Sequence, residues 1–162
     1  HCFYNRVRQL KYTSSSDENV DWGHVHFPNL QHLTVHLPID DHFWTIFSDF
    51  HRLTSLCVAW YSYNELFPGQ MQSLLDRATH LGLHCEVLRI AVKNRTCVLD
   101  LVHRMANLRH LIVQCGDDKF AEQQSTTTTQ DELIEWLEDQ LTSLCTLTRS
   151  THFREEIHVW IR

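Results

Sequence analysis

One spacing constrains this chain more than any other. Leu108, Leu111 and Val113 occupy relative positions 1, 4 and 6 of Leu108-Arg109-His110-Leu111-Ile112-Val113. The same frame returns as Leu30, Leu33, Val35 and as Leu53, Leu56, Val58. Weaker copies are Cys85, Leu88, Ile90 and Val7, Leu10, Tyr12. The starts fall at residues 7, 30, 53, 85 and 108, at intervals of 23, 23, 32 and 23 residues. An L-x-x-L-x-L frame with a period of roughly 20–29 residues is the pattern of leucine-rich repeats. One such copy cannot close a core alone, so copies must stack. The expected fold is therefore an α/β leucine-rich-repeat solenoid with a curved parallel sheet, outer helices and an atypical C-terminal cap.

Strand geometry turns that frame into a predicted surface. Side chains alternate along a strand, so residues between the aliphatic positions point away from the core. The expected outward columns carry Gln9 and Lys11 from the first copy, and His32, Thr34 and His36 from the second. Ser55, Arg89, His110 and Gln114 come from the later copies. This face is mixed polar, balanced in charge and rich in histidine. A concave repeat surface of that character suits a protein partner more than a small charged ligand.

Elements between the copies follow from helical spacing and breakers. The first strand is expected over Val7 to Tyr12, the second over 30–36 with Pro38 ending it, and the third over 53–59. Asp40 or Asp41 can cap a short helix whose apolar face is Phe43, Trp44, Phe47 and Phe50. A second helix is expected from about residue 70 to 79, with Met71, Leu74 and Leu75 on one side. Cys85 to Val92 reads as a strand, and Val98, Leu99, Leu101, Val102 and Met105 mark a third helix. Thr129 to Glu132 fits a capping box for a helix over 131–140. Leu141 to Thr146 is a candidate sixth strand, and Ile157, Val159 and Ile161 alternate with His158 and Trp160 as one more. The expected division is leucine-rich repeats over 1–116, then an acidic loop-helix and capping unit over 117–162, all one domain.

Charge narrows the partner. The formal net charge is −6, and it is uneven. Residues 1–116 hold ten acids and ten bases, whereas 117–139 hold eight acids against Lys119 alone. The absence of a basic stripe argues against nucleic acid, and the longest apolar runs are too short for a membrane span. The six cysteines form no C-x-x-C pair, and three lie in expected strands, where a thiol behaves as a small buried hydrophobe. An intracellular compartment, cytoplasmic or nuclear, is the expectation.

The 13 histidines invite a metal reading. His32 and His36 share a strand face but lie roughly 13 Å apart at the rise of a strand, too far for one ion. The sequence contains no G-x-S-x-G, P-loop, dinucleotide glycine pattern or H-E-x-x-H. No enzyme activity, cofactor or metal is expected.

The succession Phe27-Pro28-Asn29-Leu30-Gln31-His32-Leu33-Thr34-Val35, then Leu53-Thr54-Ser55-Leu56, then Ala106-Asn107-Leu108-Arg109-His110-Leu111 resembles a known family. Asp131-Glu132-Leu133-Ile134-Glu135-Trp136-Leu137 and the closing Ile157 to Arg162 extend the likeness over nearly the whole chain. The family is that of the leucine-rich-repeat F-box-like proteins, large in invertebrates, and the resemblance is to their C-terminal repeat region. It implies the substrate-recognition arm of a cullin-type ubiquitin ligase. Its Skp1-type adaptor would dock through an F-box lying before His1. The alternatives are a leucine-rich-repeat adaptor or scaffold outside ubiquitination and, more remotely, an enzyme or metal-binding protein.

Overall fold

The strands grown from the repeat frame alternate more and less buried side chains, as a strand with one covered face must, except that Ile90, Ala91 and Val92 of the fourth copy are all buried. In the second copy, Leu33, Val35 and Leu37 are buried while Thr34 and His36 are half-buried and His32 is exposed. In the fifth, Leu111, Val113 and Cys115 are buried between half-buried His110, Ile112 and Gln114. The computed structural model describes residues 2–14, 25–47, 51–60, 69–71, 73, 74, 76, 84–92, 94–115, 132–141, 145–151 and 156–162. Phe50, Leu75, residues 77–79 of the expected second helix, the threonine run at 126–129 and the capping-box residues Thr129 to Asp131 lie outside them. The chain is mixed α/β with mostly parallel strands, and it divides into two compact units, His1–Cys85 and Glu86–Arg162.

In the first unit, β1 (Cys2–Phe3) pairs in parallel with β3 (Val25–His26). The repeat strands β2 (Gln9–Thr13), β4 (His32–Leu37) and β5 (Ser55–Trp60) form a parallel set in the order β2-β4-β5. Register follows the frame. Leu10 stands opposite Leu33 and Leu33 opposite Leu56, while Tyr12, Val35 and Val58 form the next row. The strands begin two residues after the frame does, and the carbonyl at position 2 already takes part in the backbone ladder. The carbonyl of Arg8 accepts the N–H groups of both Gln31 and His32, at 2.8 and 2.9 Å. The carbonyl of Gln31 accepts those of Thr54 and Ser55, at 2.9 and 3.0 Å. The frame is thus repeated in hydrogen bonds as well as in residues.

Helix α1 (Asp41–Ile46) is only six residues long and owes its place to packing and its cap. Asp40 is the N-cap, its Oδ1 accepting the Phe43 N–H at 3.1 Å. Phe43 and Phe47 are buried, and Tyr12 meets both edge-on with ring centroids 5.1 and 5.7 Å away. Positions 69–71, 73, 74 and 76 are helical, within the stretch where a helix is expected, and Leu74 is buried. Gln70 closes both backbone groups of Ile39: its Oε1 accepts the N–H at 3.1 Å and its Nε2 donates to the carbonyl at 3.0 Å.

In the second unit, β6 (Val87–Val92) and β7 (His110–Cys115) are parallel, with Leu88 opposite Leu111 and Ile90 opposite Val113. The Glu86 carbonyl accepts the Arg109 and His110 N–H groups, both at 2.9 Å, repeating the ladder of the first unit. Between them runs α2 (Arg95–Arg104), capped by the Asn94 side chain on the Cys97 N–H at 3.2 Å, with Val98 and Leu101 buried. Helix α3 (Glu132–Leu141) buries Leu133, Leu137 and Leu141 and turns its acids outward.

The C-terminal end corrects two expectations. Leu141 belongs to α3, so no strand starts there; β8 is Cys145–Arg149. Leu141 is buried as the third member of the helix stripe Leu133, Leu137, Leu141, and that helical spacing outweighs the leucine frame read at 141–146. Nor is the sheet parallel to its end. Strand β9 (Glu156–Ile161) lies antiparallel between β7 and β8. The Arg109 carbonyl, which would hold a further parallel copy, instead accepts the Ile161 N–H at 2.9 Å.

Candidate functional site

The expected outward residues fall into register within each unit. In the first, Gln9, His32 and Ser55 form one row, Lys11, Thr34 and Cys57 the next, and Thr13, His36 and Ala59 a third. Gln9, Lys11 and His32 are exposed; Thr34, His36 and Ser55 are half-buried. Burial, then the nearby charge of Lys11, holds the His36 imidazole below its ordinary 6.5. This imidazole therefore adds little positive charge at neutral pH, and the face is mainly a hydrogen-bonding one.

In the second unit, Arg89, His110 and Gln114 are joined by residues that the repeat frame does not point to. Because β9 takes the place beside β7, Trp160 stands opposite His110, His158 opposite Ile112, and Glu156 opposite Gln114. Three contacts knit these rows. Arg89 forms an ion pair with Glu156. His110 Nε2 faces His158 Nδ1 at 3.0 Å. The His110 ring lies flat on the Trp160 indole, centroids 3.6 Å apart and planes 10° apart. Trp160 remains 47% exposed despite that stack. Burial, and then the neighbouring His158, lowers the His110 pKa from 6.5.

The signal for these residues was present in the alternation of Ile157, Val159 and Ile161, which sends 156, 158 and 160 to the other face. Alternation is the same in parallel and antiparallel strands, however, so it could not name β7 as the neighbour.

The arrangement offers an exposed aromatic, two imidazoles and one salt-bridged arginine in the second unit, and rows in the first whose charged residue is Lys11. Among the described residues, no three histidine, cysteine or carboxylate side chains converge as a metal site requires. Burial pushes the Cys145 thiol up, which lowers its nucleophilic fraction. Among the described residues, no helix is long and apolar enough to cross a membrane. Comparison with protein-family models, with curated proteins and with solved structures returns no match.

Proposed function

We propose that this chain is a leucine-rich-repeat solenoid whose outward strand faces bind a protein. The observation that carries the reading is the register of the repeat triplets: Leu10 with Leu33 with Leu56, and Leu88 with Leu111. That register lines up the residues at positions 3, 5 and 7 in rows on the opposite side of the strands, where Ala91 alone is buried. The second-unit face supports protein recognition further, since an exposed tryptophan backed by a flat partner ring is the kind of anchor protein interfaces favour.

Within that class we propose the substrate-recognition arm of an F-box ubiquitin ligase, with the adaptor docked through an F-box upstream of His1. This follows the resemblance of the repeat sequences. The test is affinity purification of the natural full-length product from its own cells, beside a Trp160→Ala, His110→Glu variant. The expected result is a Skp1-type adaptor recovered with both forms, and a second protein recovered only with the unaltered face. Partners that depend on the face but arrive without the adaptor favour the scaffold reading instead. Recovery that is indifferent to both substitutions ends the assignment of this face.

A further inference from the structure

The His110 and His158 rings meet nitrogen to nitrogen, and that arrangement tolerates only certain protonation states. At 3.0 Å, one facing nitrogen must donate and the other accept. The pair can hold one proton or none in excess of neutrality and keep that bond. With both rings cationic, both facing nitrogens are donors, and two like charges confront each other in a partly buried place. The His110 ring also lies flat against Trp160, so any displacement of the imidazole is felt by the indole. We propose that His110, His158 and Trp160 form a proton-operated latch. The neutral or singly protonated pair holds the indole in its stack, and double protonation parts the rings and frees Trp160 to turn outward.

The surroundings leave this pair to decide its own charge. From β6, the charged residue on this face is Arg89; from β9, it is Glu156, and these two are bonded to each other. From β8, Thr146 and Thr148 stand opposite Trp160 and His158 and carry no charge. Arg162, beyond β9, reaches Thr146 at 3.4 Å, and Arg109 precedes His110 with its side chain exposed. Helix α2 contacts β6 and β7 and buries Val98 and Leu101, while Leu111 and Val113 are the buried residues of β7. Of the nearby carboxylates, Glu156 is already bonded to Arg89, and Glu86, one residue before β6, has its side chain exposed. The lowered pKa of His110 has the sign expected of a ring for which the second charge is costly.

The proposal stands whatever binds the face, and its test needs no partner. The intact 162-residue chain is titrated from pH 8 to 4.5 while histidine Cε1–H and tryptophan ring resonances are followed by NMR. Assignment uses His110→Gln, His158→Gln and Trp160→Phe spectra. The expected result is that Trp160 ring shifts move with the lower of two coupled histidine steps and lose the upfield displacement that a stacked ring imposes. In His158→Gln, the His110 midpoint should rise toward 6.5 and the Trp160 step should vanish. Trp160 resonances that stay constant through the histidine titrations of the unaltered protein would overturn the latch, even if every variant misfolded. So would an unmoved His110 midpoint in a folded His158→Gln.

Discussion

At the scale of single residues, the structure separates side chains that hold the fold from those that dress it, often one position apart. Leu33 is 1% exposed and sits between Leu10 and Leu56, so Leu33→Ala should cost about 2–5 kcal/mol of unfolding free energy through lost burial and the cavity left behind. Thr34→Ala, on the open side, should cost less than ~0.5 kcal/mol. Urea denaturation of the two variants reads both numbers, and near-equal losses would show the alternation to be energetically empty. Asp40 offers a second contrast. Burial raises its pKa, but hydrogen bonds from Tyr12, Ser14 and the Phe43 N–H, with the His42 charge, outweigh burial and hold the carboxyl below 3.8. Its folded pKa is depressed, so its contribution to stability is full above about 3.8 and is lost as pH falls through the folded value. Asp40→Ala should remove about 1 kcal/mol at pH 7 through the lost cap and flatten the acid limb of a stability-against-pH curve. For His110 the folded pKa is also lowered, so stability should be full above 6.5 and fall as the pH drops below it. His110→Gln should remove that part of the slope.

The elements divide cleanly into those legible from sequence and those that were not. Strands β2, β4, β5, β6 and β7 were readable because a triplet at positions 1, 4 and 6 fixes both the strand and which residues face inward. The caps Asp40 and Asn94 do the same work at two helix starts; the sequence offers Asp40 or Asp41 for the first and does not single out Asn94 for the second. The Asn94→Ala exchange should cost about 1 kcal/mol, measured by thermal or urea unfolding. The C-terminal strands were not legible in their placement. Ile157, Val159 and Ile161 announce a strand with one buried face, but strand direction depends on the length and path of the connection, which leaves no local pattern. Half of the second-unit site, Glu156, His158 and Trp160, went unassigned for this reason. Leu141 failed differently: a leucine at the right interval satisfied a helix stripe instead, since three-and-four spacing and the repeat frame share their first two positions.

For the whole molecule, the histidine content matters more than any one element. The chain carries −6 with its histidines neutral, against 13 histidines able to charge, and its sequence pI is about 6.1. Net charge should therefore change sign within the range where imidazoles titrate, near pH 6. Electrophoretic mobility should reverse there, and solubility should pass through a minimum at the same pH. A reversal displaced well below pH 5 would mean that many imidazoles stay neutral in the folded state. The outward histidines make this more than a bulk property, because burial lowers the pKa of His36 and His110, so their rows gain charge only below 6.5.

Strand β8 finds its pairing partner only in residues 156–161, among the described residues, and those residues also sit against β7. On a ribosome, β8 must therefore wait with its backbone unsatisfied until the chain past it has been made and has threaded back between two strands already synthesised. Stalled or prematurely stopped products ending near Ser150 would carry two bare strand edges, and such chains are the ones a cell should find aggregating or degraded.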